Sequence, residues 1–340
     1  MKTLAVAILS VLLASILVQE QATKTTTLLS IVQGGKQGFI DQTGKIVIPP
    51  KFDQVDGFAE GMARVKVGKL FGYIDETGKL VVPARFQAAS DFSEGLARVM
   101  LGYKWGFIDK SGRMVIPATF ATVSDFSDGT FAATIESAPQ GKRQYRLVDR
   151  TGKLISPSKL SVTSTFSEGL ALISDGEKDL KQGYVNKQWD VVIQPQYLSA
   201  SPFRDGLAVV IIKGGTTLVI DKTGKTVISG YAVSPRGFSE GLISFVQFDD
   251  KSGQGLHGFL DKNGVVVIKP RFQFVKNFSE GLTPAEFNRK YGYIDPSGNF
   301  VIKPQFDNAE SFSNGLAMVW VDGKRGYIDK AGNYIWKPTE

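Results

Sequence analysis

The sequence contains no cysteine and a single histidine, His257. Without cysteine the chain can form no disulfide, no thiolate metal site and no cysteine nucleophile. One histidine excludes most zinc sites and argues against a catalytic triad, so His257 is predicted to be a structural or solvated side chain. Phosphate loops, dinucleotide fingerprints and nucleophile motifs are also missing. These absences predict a protein that is not an enzyme and has no catalytic residue, cofactor or metal.

Glycine and phenylalanine, by contrast, are abundant, with 37 and 23 copies among 340 residues. The chain is 42% hydrophobic, which is enough to bury a core and excludes a disordered protein. Length alone suggests two or three domains. The net charge of +7 is a weak basic bias that suits an anionic partner without specifying one.

The amino terminus carries an apolar segment at residues 4–18, preceded by Lys2. This segment is shorter than the roughly 20 residues of a membrane span, and it matches a secretory signal peptide. No clean small-x-small cleavage pattern follows it, so an uncleaved anchor is the alternative. Residues 1–28 are therefore predicted to be a signal peptide or an N-terminal anchor. The rest of the chain is expected outside the cytoplasm, as a secreted, periplasmic or cell-surface protein.

The remaining chain repeats a phrase of the form Gly-Tyr-Ile-Asp, as in residues 72–75. Its last residue, here called the anchor, occurs at Asp41, Asp75, Asp109, Asp149, Asn186, Asp221, Asp261, Asp295 and Asp329. The copies anchored at Asp149 and Asp221 lack the glycine. Most steps between anchors are close to 34 residues, which indicates nine units of one repeat rather than separate domains.

A second phrase, Phe-Ser-Glu-Gly, recurs in phase with the first. Its glycine follows the preceding anchor by 20 residues in all eight copies. All variation in length therefore falls between this glycine and the next anchor. The longest such segments are residues 136–146, 175–182 and 247–257.

Each unit is predicted to contain three short β-strands. The first follows Phe-Ser-Glu-Gly, the second carries the anchor phrase, and the third is a β-branched run ended by proline, as at Pro83. An Asp-x-Thr/Ser-Gly turn joins the second strand to the third. The phenylalanine is predicted to be a wedge in the core, and the glycine after Glu to adopt positive φ. No segment after the leader has a helical period, so the fold class is all-β.

These phrases resemble the bacterial WG-type repeats, also called KWG repeats. Lys104, Trp105 and Gly106 carry the name-giving residues, and other units replace the tryptophan. The resemblance spans residues 29–337, a single repeat array. It implies a bacterial origin, frequent export and a β-rich array, and it supplies neither a general biochemical function nor catalytic residues.

The array can be an open stack or a closed ring. A propeller commonly closes by sharing one unit between the chain ends, but no unit here is visibly split. Three strands are also few for a propeller blade. The sequence therefore favours an open, β-solenoid-like stack of nine units, with a β-propeller-like ring as the alternative. In the stack, Trp336 is expected to cap an exposed end.

Several repeated side chains suggest chemistry at first sight. The Asp-x-Asn/Ser-Gly loops at Asp261 and Asp295 offer oxygen donors for calcium, but a lysine or arginine commonly follows, which favours a hairpin turn. The glutamates of Ser-Glu-Gly form a row of carboxylates that is predicted to be structural, because catalysis requires one distinguished site. These glutamates are Glu60, Glu94, Glu168, Glu240 and Glu280.

Basic residues also recur at equivalent positions. Stacked units would align them as a stripe that attracts an anionic polymer, although acidic residues repeat in the same turns. The members of this basic stripe are Lys45, Lys79, Lys153, Lys225, Lys51, Arg85 and Arg271. No nucleic-acid specificity is indicated.

The sequence predicts an exported, non-catalytic binding or structural scaffold of the bacterial envelope that recognises a protein or a glycan. The three long variable segments would project from one edge of the array, where insertions often mark a binding face. The alternatives are a secreted enzyme or inhibitor with its site in those segments, and a binder of an anionic polymer. A membrane contact is expected only through the N-terminal segment if it is not cleaved.

Overall fold

A computed structural model describes residues 27–136, 143–157, 160–175, 181–248 and 253–339. Within these ranges the chain is all-β, and it forms nine small antiparallel sheets, numbered here in chain order. The same ranges contain no helix with the length and apolar character needed to cross a membrane. The prediction of an all-β repeat array is confirmed.

The strands of the first four sheets are as follows. Sheet 1 contains β1 (Leu29–Gln33), β2 (Lys36–Ile40) and β3 (Ile46–Phe52). Sheet 2 contains β4 (Gln54–Ala59), β5 (Met62–Val67), β6 (Leu70–Asp75) and β7 (Leu80–Phe86). Sheet 3 contains β8 (Ala88–Ala89), β9 (Ala97–Leu101), β10 (Lys104–Ile108) and β11 (Met114–Phe120). Sheet 4 contains β12 (Thr130–Glu136) and β13 (Arg143–Asp149).

The other five sheets have four strands each. Sheet 5 contains β14 (Ser161–Val162), β15 (Leu170–Ser174), β16 (Gln182–Asn186) and β17 (Val191–Tyr197). Sheet 6 contains β18 (Ser199–Ala200), β19 (Leu207–Ile211), β20 (Thr217–Asp221) and β21 (Thr226–Ile228). Sheet 7 contains β22 (Ala232–Val233), β23 (Leu242–Phe248), β24 (Gly255–Asp261) and β25 (Val266–Phe272). Sheet 8 contains β26 (Phe274–Val275), β27 (Thr283–Phe287), β28 (Lys290–Ile294) and β29 (Phe300–Phe306). Sheet 9 contains β30 (Asn308–Ala309), β31 (Leu316–Val321), β32 (Lys324–Asp329) and β33 (Tyr334–Thr339).

The predicted three strands are joined by a fourth, short strand at the start of most sheets. This edge strand directly follows the third strand of the preceding sheet, with one residue between β7 and β8. It pairs with the first strand of its own sheet, as in the pairing of Ala88 with Met100 and of Ala89 with Val99. Two residues are too few to give a period-2 pattern, so the sequence carries little sign of this strand.

The glycine of the anchor phrase is required by the third strand. In sheet 2 a Cβ added at Gly72 would lie 2.5 Å from the carbonyl oxygen of Val82 and 2.7 Å from the amide nitrogen of Ala84. The pairing between β6 and β7 shifts register here, which brings the two backbones close together. A side chain at this position would collide with backbone atoms that have no room to move.

Sheets 4 and 6 test this explanation, because Arg146 and Leu218 occupy the glycine position there. In sheet 6 the third strand shrinks to the three residues of β21. In sheet 4 it is reduced to a single bridge between Val148 and Leu154. The full seven-residue third strand therefore occurs only where glycine permits the close approach.

The core lies between neighbouring sheets. The phenylalanine before Ser-Glu-Gly packs against the aromatic residue of the anchor phrase in the preceding sheet, as Phe92 does against Tyr73 with ring centroids 4.9 Å apart. Phe203 packs on Tyr184 and Phe312 on Tyr293 in the same way. Phe92 is 4% exposed and Tyr73 is fully buried. The predicted wedge is confirmed, and each such pair contributes about 1 kcal/mol beyond the area it buries.

The array closes into a propeller-like ring, so the predicted open stack is wrong and the alternative is correct. The Lys110 side chain of sheet 3 donates a hydrogen bond to the Glu60 carbonyl of sheet 2 at 2.7 Å. Gln42 of sheet 1 makes the equivalent bond to the Asn314 carbonyl of sheet 9 at 3.3 Å. Sheet 1 therefore contacts sheet 9 as other sheets contact their predecessors, although the two are almost 300 residues apart in sequence.

Trp336 takes part in this closure instead of capping an exposed end. Together with Met318 it packs against a small core cluster of Ile31, Ile40 and Tyr327, which joins sheets 9 and 1. Closure needs no sheet shared between the chain ends, because the last strand completes sheet 9. The predicted leader lies outside the described residues except for Thr27 and Leu28, and Leu28 is buried against sheet 1.

Candidate binding surface

The strand order divides the connections between two faces of the ring. Successive antiparallel strands reverse direction, so the Phe-Ser-Glu-Gly turn and the anchor turn lie at one end of each sheet. The hairpin between the first and second strands lies at the other end, together with the crossover to the next sheet. We call these two ends the turn face and the hairpin face.

Each Phe-Ser-Glu-Gly turn places both of its central residues in the left-handed region. Glu94 has φ of 50° and Gly95 has φ of 77°. Ser93 and Leu96 exchange backbone hydrogen bonds of 2.9 and 3.0 Å across them. Positive φ at both positions is the pattern of a type I′ hairpin turn. A glutamate with positive φ is strained by roughly 1–2 kcal/mol, so its recurrence calls for a compensating interaction.

That interaction is made with the next sheet. The Glu94 carboxylate accepts hydrogen bonds from the backbone amides of Asp128 at 2.7 Å and Gly129 at 2.9 Å. The Glu60 carboxylate accepts from the Gly95 amide at 2.9 Å. Glu168, Glu240 and Glu280 bond the corresponding glycine of the following turn in the same way. The row of glutamates thus ties neighbouring turns together.

The residue after the anchor strengthens the same link. Lys110 lies 3.3 Å from the Glu60 carboxylate, and Lys222 and Lys330 pair in the same way with the glutamates of their preceding sheets. Burial raises the pKa of Glu60, but the Gly95 amide and Lys110 outweigh it, so this pKa lies below its ordinary value of 4.5. The turn face therefore holds a repeated charge-assisted contact between sheets.

The anchor turns are closed by their own aspartates. In sheet 1 the Asp41 carboxylate accepts from the Thr43 amide at 2.8 Å, the Thr43 hydroxyl at 2.6 Å and the Lys45 amide at 3.1 Å. The Thr43 hydroxyl is the main cause that lowers the pKa of Asp41. The hairpin-turn interpretation is confirmed, and it extends to Asp261 and Asp295. Among the described residues no group of three or more acidic or histidine side chains could hold a metal ion.

The predicted basic stripe is not a free surface along its whole length. Lys51 donates to the Gly78 carbonyl of the next sheet at 3.3 Å, and Arg85 donates to the Gly112 carbonyl at 2.7 Å. Arg271 makes the same contact with the Gly298 carbonyl. These three cations bind neighbouring turns and lie over aromatic rings, so they are structural. Lys45, Lys79, Lys153 and Lys225 are exposed.

The hairpin face has a different character. The three long variable segments connect the first and second strands of sheets 4, 5 and 7, and the described strand ends on either side of them lie here. Residues 137–142, 176–180 and 249–252 of these segments lie outside the described residues. Hairpin tips also expose large apolar side chains, among them Tyr103 at 80% and Phe248 at 64%. Further exposed side chains near the tips are Val67, Leu70, Tyr145 and Phe287. These side chains belong to sheets 2, 3, 4, 7 and 8. Exposed aromatic residues are enriched at protein-interaction sites.

A groove lies beside Phe248. It has a volume of about 520 Å³ and is lined by Gln247, Phe248, Leu256, Val266, Lys269 and Pro270. Phe248 pairs with Gly255 at the end of the long hairpin of β23 and β24. The lining combines an aromatic ring, aliphatic carbons and one cation. This combination suits an apolar side chain of a partner, flanked by a polar or acidic group.

His257 lies close to this groove, on the same hairpin. Its ring meets Phe274 of the next sheet edge-on, with centroids 5.8 Å apart, and it lines a separate cavity of about 300 Å³ with Arg236. Burial lowers the pKa of His257. Its position four residues before an anchor is that of Trp105 in sheet 3, where the ring also packs between sheets.

The sequence indicates where the variable segments are, but it does not reveal the exposed aromatic side chains of the hairpin face. Tyr103 and Phe248 occur next to hairpin tips, where the repeat pattern predicts polar residues. The lysine after the anchor was also missed as a link between sheets. Its recurrence at Lys110, Lys222 and Lys330 was the available signal, because the same phase holds in each copy.

Comparison with known proteins bears on both family and fold. The family model for the WG-containing repeat matches residues 38–70, 71–105, 105–136, 145–178, 183–215, 258–291 and 291–324. No curated protein matches the chain. A solved structure described as a eukaryotic initiation factor superposes with a TM-score of 0.64 and 10% identity, covering 91% of this chain and 95% of that one.

Two further solved structures superpose less closely. The computationally designed Ika8 protein has a TM-score of 0.48 and 12% identity over 91% of this chain and 98% of its own. BamB from Moraxella catarrhalis has a TM-score of 0.41 and 11% identity over 79% and 94%. Of these three structures, the initiation factor has the highest TM-score, and at 10% identity it shows a shared fold alone.

The seven family matches cover most of the described array, and the first of them runs from the second strand of sheet 1 through the first two strands of sheet 2. They include Trp105 and Gly106, and they follow the alternation of anchor phrase and Phe-Ser-Glu-Gly turn. The chain therefore belongs to the family of WG-containing repeat proteins.

Proposed function

We propose that the protein is an exported, non-catalytic binding scaffold of the bacterial envelope, and that its hairpin face docks a partner protein. The observation that carries the proposal is the 80% exposure of Tyr103 and the 64% exposure of Phe248 at hairpin ends, the same ends of the sheets at which the long variable segments leave and rejoin the described strands. Large exposed aromatics anchor protein interfaces because they bury much area at a low cost in side-chain entropy. The exported location is supported by the N-terminal apolar segment, which lies outside the described residues.

The two faces differ in how their side chains are used, and this difference favours docking on the hairpin face. On the turn face the glutamates of the Phe-Ser-Glu-Gly turns are engaged in bonds between sheets, as for Glu94 with Gly129, whereas the anchor-turn lysines such as Lys45 are exposed. On the hairpin face Lys36 and Lys290 pair with the crossover residues Asp53 and Asp307 of their own units, which fixes the tips relative to the crossovers. At the tip of sheet 3, the Tyr103 amide donates a hydrogen bond to the Gln87 side chain at 3.3 Å, which ties this tip to the crossover as well. A tip that is held in place before a partner arrives lowers the entropic cost of binding.

The proposal is tested with full-length protein as bait against a native envelope extract, comparing wild type with Tyr103→Ala and Phe248→Ala. A partner that docks on the hairpin face loses about tenfold or more in affinity with one or both variants. Val301→Ala is the matched control, because Val301 is 50% exposed on β29, away from the hairpin tips. Equal capture by all four proteins would overturn the proposal.

Protease treatment of the extract distinguishes a protein partner from a glycan. If capture survives complete proteolysis and still depends on Tyr103, the partner is a glycan and the assignment to a protein is wrong. Cell fractionation tests the location independently. Recovery of the chain only in the cytoplasm would contradict export.

A further inference from the structure

The junction between sheets 7 and 8 departs from the repeat at two side chains. In sheet 3, Arg98 donates a hydrogen bond to the Val123 carbonyl beside sheet 4 at 2.8 Å, and its guanidinium lies over the Trp105 ring, 5.2 Å from the centroid. Sheet 7 has Ser244 in place of Arg98 and His257 in place of Trp105, as the pairing within the two hairpins shows. Both replacements are smaller side chains. At these two positions the junction between sheets 7 and 8 therefore holds less side-chain volume than the junction between sheets 3 and 4.

A cavity of about 300 Å³ lies at this junction, and we call it the inter-sheet cavity. Val246 and His257 pair across β23 and β24 in its wall, and two more pairs continue this hairpin toward its tip. The edge strand β26 of sheet 8 supplies the opposite wall, so the cavity is bounded by paired strands of both sheets. Its lining includes Ser234, Arg236, Ser244, Val246, His257 and Phe274.

A second irregularity adds a cation to the inter-sheet cavity. Four residues, 234–237, separate β22 from the phenylalanine wedge of sheet 7, whereas two residues fill this interval in sheet 3. The Gly237 amide bonds the Ser234 carbonyl at 3.2 Å, and the Arg236 amide bonds the Ser234 hydroxyl at 3.3 Å. This closed turn places the Arg236 guanidinium over the Phe274 ring of sheet 8, 5.9 Å from the centroid. The two extra residues thus bring Arg236 to the cavity.

The charge of the inter-sheet cavity suits an anion. Arg236 is exposed and forms no ion pair within the described part of the chain, whereas Arg98 pairs with Asp125 at 2.8 Å. The described lining of the cavity contains no aspartate or glutamate. Burial lowers the pKa of His257, so its ring is neutral at neutral pH and can donate or accept a hydrogen bond. A guanidinium without an internal partner binds a carboxylate well, because its N–H groups match the two oxygens.

The rest of the lining is apolar and includes Val246 and the ring of Phe274. Ligand cavities measure roughly 300–1,000 Å³ and combine apolar walls with a few convergent polar groups. A cavity at the lower end of this range suits a compact ligand. We propose that the inter-sheet cavity binds a small organic carboxylate, whose charge pairs with Arg236 and whose apolar body packs against Val246 and Phe274. The site includes neither Tyr103 nor Phe248, so this proposal and the docking of a partner protein do not depend on each other.

The probe is benzoate, and its affinity for the full chain, prepared without a histidine tag, is measured by nuclear magnetic resonance titration. The chain has a single histidine, so the ring signals of His257 report on the cavity without ambiguity. Benzoate is expected to shift these signals in a saturable manner. Benzamide keeps the aromatic ring without the charge, and acetate keeps the charge without the ring. Each is expected to bind at least about tenfold more weakly than benzoate.

Variants of the protein test the two irregularities separately. Arg236→Gln removes the partner of the carboxylate at an exposed position and is expected to weaken benzoate binding about tenfold or more. Arg204→Gln is the matched control, because Arg204 is also exposed but lies on the turn before β19 of sheet 6, and it should leave the affinity unchanged. Ser244→Arg introduces into sheet 7 the arginine that sheet 3 has, and it is expected to abolish binding by filling the cavity. Thermal denaturation checks that this last variant folds.

Benzoate binding that is unchanged by Arg236→Gln would overturn the proposal, because the guanidinium would then play no part. Equal affinities for benzoate and acetate would also overturn it, since the apolar wall would contribute nothing, and so would the absence of any shift at His257. Tyr103→Ala is expected to leave benzoate binding unchanged. Failure of this proposal is therefore distinguishable from failure of docking on the hairpin face.

Discussion

The turn face and the hairpin face carry connections of very different regularity. On the turn face the glycine of each turn keeps a constant distance from the preceding anchor, and Glu94 or its equivalent bonds the next turn. On the hairpin face the connection between the first and second strands varies from two residues, Gly34 and Gly35, in sheet 1 to the seven residues 175–181 in sheet 5. Constancy of length thus accompanies contacts between sheets, and variation in length occurs at the ends of the sheets where Tyr103 and Phe248 are exposed.

The largest expected difference in stability is between two variants that carry the same insertion, one on the turn face and one on the hairpin face. Two glycines inserted between Glu94 and Gly95 break the type I′ turn and displace the bonds to Asp128 and Gly129, at an expected cost of about 3 kcal/mol or more. The same insertion between Gly102 and Tyr103 lengthens an exposed hairpin and is expected to cost less than about 1 kcal/mol. Urea denaturation of both variants measures the difference. Equal losses of unfolding free energy in the two variants would contradict the inference that the turn face is structurally constrained and the hairpin face is not.

A second prediction concerns the charge of the turn-face glutamates. Burial raises the pKa of Glu280, but the Gly315 amide and Lys330 lower it further, so the net pKa lies below 4.5. The folded state therefore gains stability from the ionised form above pH 4.5 and loses it as pH falls through the lower, folded pKa. Glu280→Gln is expected to lower the free energy of unfolding by about 1 kcal/mol at neutral pH, and by progressively less as the pH falls.

Thermal denaturation across pH checks this prediction. Glu76→Gln serves as the matched control, because Glu76 is an exposed carboxylate without an ion pair to a described residue. A difference between wild type and Glu280→Gln that grows on acidification would contradict the assigned role of the carboxylate.

The third prediction compares the closing junction with an ordinary one. Tyr327→Phe removes the hydroxyl that bonds the Ser30 carbonyl at 2.9 Å, and Tyr293→Phe removes one that bonds the Glu310 carbonyl at 2.8 Å. Each is expected to cost about 1 kcal/mol. Because the closing core is small, Tyr327→Phe is expected to speed amide exchange selectively in sheets 9 and 1. Uniform exchange across all sheets would show that the closing junction is no weaker than other junctions.

The smallest effect is expected at the hairpin tip. Tyr103 is 80% exposed, so Tyr103→Ala should change the free energy of unfolding by no more than about 0.5 kcal/mol. Denaturation of this variant is the stability control for the partner-binding experiment. A loss of 2 kcal/mol or so would mean that Tyr103 supports the fold, and would weaken the docking argument.

Much of the local structure could be predicted from the repeat. The anchor turn follows from chemistry that acts within a few residues, as the bond from Thr43 to Asp41 illustrates. The phenylalanine wedge and the positive-φ glycine of the Phe-Ser-Glu-Gly turn could be predicted because they recur at the same position in each unit. The exposed aromatics could not be predicted, because apolar residues such as Phe248 resemble core residues in a pattern of alternating hydrophobicity. Only the position of Phe248 at the end of β23, beyond the neighbouring sheets, exposes it.

The sequence by itself determined an all-β array of nine units, the residues that join each sheet to the next, and the constancy of one set of turns. Only the tertiary structure decided between a stack and a ring. A wedge such as Phe92 packs on the preceding sheet in either arrangement, because both need the same contact between neighbours. Closure depends on the rotation from one sheet to the next, accumulated over nine sheets, and no single repeat encodes that sum. The contact between Gln42 and Asn314 exists because the accumulated rotation brings sheet 1 back to sheet 9.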